Sequence, residues 1–248
     1  MLKDKIKTEA VYGSFLGLPS PVIVDLMGGA GYDFVIFDIE HGNYSNSELE
    51  NCARAAAAKG LPYVIRIPCA DQATIQKALD MGADGIMVSM VNDAETAEKV
   101  CKAALYPPKG CRGFSTHTIA GDFGYLDMDA FFENAERVMI CVQIETKEGL
   151  DNLDEILSVN DTDMIFVGAA DLSVSCDFES MMCDEAVSTY RTIAEKIKQA
   201  GKIPGILAFD EEMADMAKDL GYQFRASTII GTISSAFEKE IKEIKEKK

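Results

Sequence analysis

Short apolar runs alternate with helix-length segments along the whole chain, and this alternation restricts the possible folds more than any other feature. Eight runs are apolar enough to predict parallel strands buried on both faces, at residues 11–16, 34–38, 63–67, 85–91, 138–144, 164–167, 203–209 and 222–226. Polar caps such as Ser47, Asp71 and Asp93, and glycine stops such as Gly60, predict helices between them. Eight strand–helix units predict a (β/α)8 barrel rather than a doubly wound sheet.

The length and composition fit one such barrel. No linker, low-complexity stretch or change in composition divides the chain, so residues 1–248 are predicted to form a single domain. A net charge of −17 argues against nucleic acid or an anionic membrane as a partner, because both attract Lys and Arg. No apolar run has the length of a membrane span, and the first residues lack the apolar region of a signal peptide. Seven cysteines without a C-x-x-C pair predict reduced thiols in a cytoplasmic protein.

Acid–base and other polar groups stand where several predicted strands end. Asp38-Ile39-Glu40-His41 follows the second strand, Arg66 lies near the end of the third, and Gln143 and Glu145 close the fifth. Asp171 follows the sixth strand within four residues. Buried charge is costly unless it is paired or binds a metal, and barrel enzymes place their catalytic groups at the carboxyl ends of strands. The sequence therefore predicts an active site there, with the irregular stretch 106–127 as an inserted lid.

Two of these carboxylates predict a metal site. Glu145 and Asp171 follow successive strands, and two carboxylates that converge on one point repel unless a cation lies between them. Oxygen ligands with open positions suit Mg²⁺ or Mn²⁺. Gln143 shares a strand face with Glu145 and could touch the metal or the substrate. The alternative is a pair of solvated loop carboxylates.

Arg66 and His41 are the candidate catalytic side chains. An arginine in an apolar strand end needs an anionic partner, either a substrate oxygen or, alternatively, a neighbouring aspartate in a structural pair. His41 beside Asp38 could be a general base whose tautomer the carboxylate fixes, although a lone strand-end histidine is more often merely hydrogen-bonded. Asp80 could orient His41 only if the end of its helix reaches the site.

Several mechanisms lack their residues. The chain has no phosphate-binding glycine motif and no nucleophilic-serine or zinc-protease motif. No lysine closes a predicted strand, so a Schiff-base mechanism has no nucleophile. The loops after the last two strands do not resemble a phosphate cup, which disfavours phosphorylated substrates.

As a set, these residues resemble a known enzyme family, the HpcH/HpaI aldolases, which are metal-dependent class II pyruvate aldolases. The matching motifs cover nearly the whole chain: Asp38-x-Glu40-His41, Arg66, Tyr106-Pro107-Pro108-x-Gly110-x-Arg112-Gly113, Gln143-x-Glu145-Thr146 and Gly168-x-Ala170-Asp171-Leu172-Ser173. At two positions where the family usually has proline, this chain has Ser89 and Ala169. The resemblance implies a (β/α)8 barrel whose last helix is exchanged between subunits of a hexamer.

The resemblance also implies a reaction and residue roles. The expected reaction is reversible retro-aldol cleavage of a 4-hydroxy-2-oxo acid, such as a 2-keto-3-deoxy sugar acid, to pyruvate and an aldehyde. Glu145 and Asp171 would hold Mg²⁺, Mn²⁺ or Co²⁺, and Arg66 would stabilise the pyruvate enolate. His41, with Asp38 and Asp80, would move protons. The remaining implied substrate contacts are Gln143, Gly168, Ala170 and Leu207.

Two other functions stay open at this point. An oxaloacetate-type decarboxylase, or another carbon–carbon lyase, would use the same enolate stabilisation. A non-catalytic barrel that binds an oxo acid would not need the complete set of His41, Arg66, Glu145 and Asp171. In either case the predicted ligand is a small oxo acid, and an apolar stripe of Phe237, Ile241 and Ile244 on the last helix predicts a homo-oligomer.

Overall fold

The computed structural model describes residues 2–246 of the chain. Within them, eight parallel strands pair in sequence order and the last pairs with the first, which closes a barrel. The strands are β1 (Val11–Leu16), β2 (Phe34–Asp38), β3 (Tyr63–Ile67), β4 (Gly85–Val88), β5 (Met139–Ile144), β6 (Met164–Val167), β7 (Ile203–Leu207) and β8 (Phe224–Thr228). The predicted (β/α)8 barrel is confirmed, whereas the single domain over residues 1–248 stays a prediction.

Helices surround the barrel and carry the chain back between strands. They are α1 (Leu2–Lys5), α2 (Pro21–Ala30), α3 (Asn46–Lys59), α4 (Gln72–Asp80), α5 (Ala94–Ala104), α6 (Met128–Glu136), α7 (Lys147–Asp151), α8 (Leu153–Leu157), α9 (Ala169–Ser175), α10 (Asp184–Gln199), α11 (Glu211–Asp219) and α12 (Ile229–Glu246). Asp71 and Asp93 cap α4 and α5 as predicted. The predicted cap Ser47 is wrong: Ser45 caps α3, because it forms a reciprocal pair of hydrogen bonds with Glu48.

Aromatic side chains fill the interior of the barrel. The rings of Phe34 and Phe224 stack with their centroids 3.9 Å apart, and Phe166 meets Phe224 edge-on. A Cβ at Gly13 would lie 2.2 Å from the Phe34 ring, so this position must be glycine for the ring to fit. Leu2, before β1, is buried in the same cluster and closes the end where the strands begin. Because apolar side chains pack the interior, the inward-facing polar groups lie at the opposite rim, where the strands end.

Several predicted boundaries differ from the observed ones. β4 ends at Val88 rather than at residue 91, because Met90 has a φ of +56° and turns the chain out of the strand. β8 lies two residues later than predicted, and the helix predicted over residues 147–159 breaks at Asn152 into α7 and α8. Three helices, α1, α6 and α9, were not predicted.

The last helix leaves the barrel with most of its surface uncovered. Of its described side chains, only Ile229 is buried. Phe237, Ile241 and Ile244 are exposed, as are Val22 and Leu26 on α2. Across residues 2–246, no helix is long and apolar enough to cross a membrane.

Candidate active site

Polar side chains from neighbouring strands meet at the rim where the strands end. Side chains alternate between the interior and the helices, so Asp38 follows Ile36 inward and Arg66 follows Val64 inward. The register of β2 and β3 places Asp38 directly opposite Arg66. On β5, the same alternation directs Gln143 inward. The rim therefore collects the polar groups that the sequence predicts at strand ends.

Arg66 and Asp38 form a buried, two-pronged ion pair. The Nε of Arg66 donates to Asp38 Oδ1 at 2.8 Å and one terminal nitrogen donates to Oδ2 at 2.5 Å. Burial alone would raise the pKa of Asp38, but the hydrogen bonds and charge of Arg66 outweigh it and hold this pKa below its ordinary value. The pair fixes the guanidinium plane, because both groups are buried and their geometry is bidentate.

The other sides of the Arg66 guanidinium face Glu40 and an aromatic ring. Its second terminal nitrogen lies 3.4 Å from Glu40 Oε2. Its central carbon lies 4.6 Å from the centroid of the Phe15 ring, an arrangement typical of a cation–π contact. Arg66 thus forms the structural pair with an aspartate that was the alternative to binding a substrate oxygen. Its second terminal nitrogen, which faces Glu40, remains directed toward the rim.

His41 is exposed at the edge of this cluster. The predicted contact between its ring and the Asp38 carboxylate is wrong, because Asp38 is occupied by Arg66 and by the backbone N–H groups of Glu40 and His41. The nearest carboxylate oxygen to the ring belongs to Glu40, whose Oε2 lies 3.9 Å from His41 Nε2. The side chain of His41 is 67% exposed, so it can reach a substrate in the mouth of the barrel.

Glu145 is buried close to other carboxylates. Its Oε1 accepts from the backbone N–H of Met90 at 2.6 Å, and its Oε2 accepts from the Gln143 amide. Burial raises the pKa of Glu145 to about 7; the charges of Glu40 and Asp171 add to this effect, while Met90 and Arg66 oppose it. Glu145 and Asp171 are therefore near enough for the charge of Asp171 to raise the pKa of Glu145.

The Gly168 backbone packs directly against Gln143 and Glu145. A Cβ at Gly168 would lie 2.7 Å from Gln143 Nε2 and 2.9 Å from Glu145 Oε2, so a larger residue would displace both side chains. Gly168 is the cap of α9, which carries Ala170 and Asp171 exposed at the rim. Leu207, at the end of β7, packs on the interior cluster and completes this wall of the mouth.

Comparison with known proteins is consistent with this arrangement and identifies the family. The model of the HpcH/HpaI aldolase/citrate lyase family matches residues 12–235. The chain belongs to this family. The predicted family and the predicted class, a carbon–carbon lyase, are confirmed.

Three relatives of this HpcH/HpaI family member are each about one third identical to it over most of its length. The hydroxypyruvate/pyruvate aldolase of Pseudomonas aeruginosa is 34% identical over 246 residues, which cover 98% of this chain and 90% of the relative. The 4-hydroxy-2-oxo-heptane-1,7-dioate aldolase of Klebsiella pneumoniae is 33% identical over 233 residues, covering 93% and 88%. The crystal structure of citrate synthase SbnG is 31% identical, with a TM-score of 0.89 and coverage of 100% and 99%.

Asp80 lies away from the site, contrary to expectation. It is the last residue of α4, and a helix that follows a barrel strand runs back toward the end where the strands begin. There its Oδ1 accepts from Arg112 at 2.9 Å, and Arg112 stacks on Tyr106. Within the described chain, Asp80 therefore pairs with Arg112 and not with His41.

The stretch 106–127 does not close over the mouth of its own barrel, so the expectation of a lid is wrong. It packs along α4, where the N–H of Gly113 donates to Gln76 and the Gln72 amide donates to Cys111. A cavity of about 600 Å³ lies beneath it, lined by Tyr63, Asp84 and Arg112 among others. This cavity is at the beginning of β3 and β4, and the polar cluster lies at their ends.

The donor set at the rim fits a divalent metal, a cofactor whose use is typical of the family. Among residues 2–246, no three His, Cys, Asp or Glu side chains are close enough to hold a metal by themselves. Glu145 and Asp171 supply two oxygen donors whose mutual repulsion a cation would relieve. The buried Oε1 of Gln143 has no hydrogen-bond partner within the described residues and could accept from a bound ligand.

Sequence reasoning overlooked three contributors to the site of this family member. Glu40 was part of a motif but had no assigned role, and Ser89 and Met90 were assigned to a strand. Ser89 Oγ donates to Glu40 Oε2 at 2.6 Å, and Met90 N–H donates to Glu145. Period-two alternation from Met87 could have indicated that Ser89 points inward. Nothing in the sequence indicated the left-handed conformation of Met90.

Proposed function

We propose that this chain reversibly cleaves a 4-hydroxy-2-oxo acid, such as a 2-keto-3-deoxy sugar acid, to pyruvate and an aldehyde. The observation that carries the proposal is the meeting, at one rim, of a rigidly held arginine with the Glu145–Asp171 carboxylate pair. An arginine and a metal site together suit an oxygen that becomes negative during the reaction. The substrate is a small oxo acid bound in the mouth of the barrel.

Glu145 and Asp171 would hold the metal, for which Mg²⁺, Mn²⁺ and Co²⁺ are the candidates. When bound, a divalent cation would polarise the 2-oxo group and neutralise the enolate charge. Gln143, Gly168, Ala170 and Leu207 would contact the substrate. This assignment is supported by the contact of Gly168 with Gln143 and Glu145 and by the position of Ala170 beside Asp171 in α9. Leu207 ends β7 at the same rim.

Cleavage breaks the bond between C3 and C4 of the substrate. His41 would take the proton of the 4-hydroxyl group, so that the oxygen forms the carbonyl of the released aldehyde. The electrons of the broken bond form the enolate of pyruvate, and Arg66 would stabilise its oxygen. Protonation at C3 then completes pyruvate, and the reverse sequence makes the aldol.

Oxaloacetate decarboxylation is the second candidate function. It forms the same enolate by loss of CO₂ and needs no base for a 4-hydroxyl group. The exposure of His41 favours decarboxylation as an activity of the same site, because that reaction does not depend on a positioned base. A non-catalytic, oxo-acid-binding barrel is less favoured, because His41, Arg66, Glu145 and Asp171 are all present.

The test is an assay of pyruvate release from a panel of 4-hydroxy-2-oxo acids and from oxaloacetate. Each substrate is measured with a chelator alone and after addition of Mg²⁺, Mn²⁺ or Co²⁺. We expect metal-dependent cleavage of at least one hydroxy-oxo acid and no inactivation by borohydride with pyruvate. Full activity after exhaustive chelation would contradict the metal site, and pyruvate release from oxaloacetate alone would support the decarboxylase.

Two further properties belong to this proposal. The uncovered apolar side chains on α12 and α2 support a homo-oligomer, for which the family resemblance suggests a hexamer with an exchanged last helix. The seven unpaired cysteines support a cytoplasmic location.

A further inference from the structure

Ser89, the residue that follows β4, makes the closest side-chain contact to Glu40 in the described structure. The residue is 1% exposed, and its N–H still pairs with Ile67 O at 3.0 Å, so its backbone is fixed by the barrel. From this fixed position its hydroxyl donates to Glu40 Oε2 at 2.6 Å. A hydrogen bond from a buried hydroxyl to a carboxylate restricts the rotamers of the longer, less buried partner.

The next residue reinforces the same turn. Met90 has a φ of +56°, which is unfavourable for a residue other than glycine. Such a conformation persists when the surroundings determine it, and here the Met90 N–H donates to Glu145 Oε1 at 2.6 Å. The dipeptide therefore binds two carboxylates, Glu40 through a side chain and Glu145 through the backbone.

Of Asp38, Glu40 and Asp80, only Glu40 has a carboxylate oxygen within 4.0 Å of a His41 ring nitrogen in the described structure. Asp38 pairs with Arg66. Asp80, the last residue of α4, lies away from the rim and pairs with Arg112. Glu40 Oε2, the atom that accepts from Ser89, lies 3.9 Å from His41 Nε2. The same oxygen lies 3.4 Å from Arg66, so without Ser89 the carboxylate could turn toward the guanidinium.

We propose that Ser89 is a positioning residue for proton transfer by His41, because its hydroxyl holds Glu40 as the carboxylate partner of that ring. The proposal rests on the proposed function only for its kinetic consequence. The placement of His41 by Ser89 through Glu40 can be tested without turnover.

The spectroscopic test uses the small number of histidines. The chain has only two, His41 and His117, so the ring signals of histidine-labelled protein are simple to assign. In Ser89→Ala we expect the His41 signal to shift and the His117 signal to stay. Ser14→Ala is the matched control: Ser14 is equally buried on a barrel strand, and its Oγ contacts Ser227 on the outer face. An unchanged His41 signal in Ser89→Ala would overturn the proposal.

The kinetic test asks whether Ser89 acts through Glu40. Ser89→Ala should lower kcat for aldol cleavage about tenfold and leave KM within twofold. Tenfold corresponds to about 1.4 kcal/mol, which is the order of magnitude of one lost hydrogen bond to a charged group. Oxaloacetate decarboxylation should change less than twofold. Ser89→Thr, which keeps a hydroxyl, should recover most of the rate, and thermal unfolding checks that each variant folds.

A double-mutant cycle completes the test. Adding Ser89→Ala to Glu40→Gln should cause no loss beyond that of Glu40→Gln alone. Additive losses, or equal losses in both reactions, would show that Ser89 is structural. If the parent cleaves no hydroxy-oxo acid yet the His41 signal shifts as expected, the proposed function fails and the placement of His41 stands.

Discussion

The raised pKa of Glu145 makes the stability of the metal-free protein depend on pH. Glu145 is 3% exposed, and its pKa is raised to about 7 by burial and then by the charges of Glu40 and Asp171. A carboxyl group with a higher pKa in the folded chain binds more protons when folded than when unfolded. The stabilisation that Glu145 gives the folded chain by binding this proton is therefore complete below pH 4.5, the ordinary pKa of the group. It is lost as the pH rises through about 7.

The magnitude follows from the two pKa values. Each pH unit between the two pKa values corresponds to about 1.36 kcal/mol. Raising the pH from 4.5 to about 7 therefore lowers the free energy of unfolding by about 3 kcal/mol. Asp38 does not add to this loss, because its lowered pKa keeps it ionised across the same interval. Asp84, whose pKa is raised by burial, contributes in the same direction, so only a comparison with a Glu145 variant isolates the effect.

The assay is urea unfolding of chelated protein at pH 5.5 and pH 8, at one protein concentration. The parent should lose about 2 kcal/mol of stability more than Glu145→Gln between these pH values, because only the interval from 5.5 to about 7 contributes. The glutamine introduced at position 145 can still accept from the Met90 N–H. If the Gln143 amide turns over, its unpaired Oε1 can accept from the side-chain N–H of the new glutamine. Glu155→Gln, an exposed carboxylate on α8, is the control. Adding Mn²⁺ should stabilise the parent more at pH 8 than at pH 5.5. Parallel profiles for the parent and Glu145→Gln would refute the reasoning.

Three further predictions concern the other parts of the molecule. Arg66→Lys should keep Mn²⁺ binding and lose on the order of 10²–10³ in kcat, because a flexible ammonium does not replace a bidentate fork; a rate within twofold of the parent would make Arg66 structural. His41→Ala should slow aldol cleavage more than oxaloacetate decarboxylation, and equal losses would place His41 in binding or folding. Ending the chain at Ser235 should reduce the oligomer seen by light scattering, whereas an active monomer of the full chain would contradict the role of α12.

The sequence predicts the barrel well because parallel strands buried on both faces appear as continuous apolar runs. It fails where a single residue ends a strand or where an element is short. β4 stops at Val88 because of the conformation of Met90, which apolar composition cannot reveal. The seven residues of α9 looked like a loop, since no side chain in the described structure caps the helix at Gly168.

The candidate residues were easier to predict than their partners. Asp38 and His41 are close in sequence, but Asp38 points into the barrel, where the register of β2 and β3 sets it opposite Arg66. A slip of one residue in either strand would turn one of the two side chains outward and break the pair. Asp80 is excluded for a similar reason, because its helix runs away from the rim where His41 lies. The partner of each charged group thus depends on strand register and helix direction, and these place Glu40, the residue without a predicted role, between Arg66, Ser89 and His41.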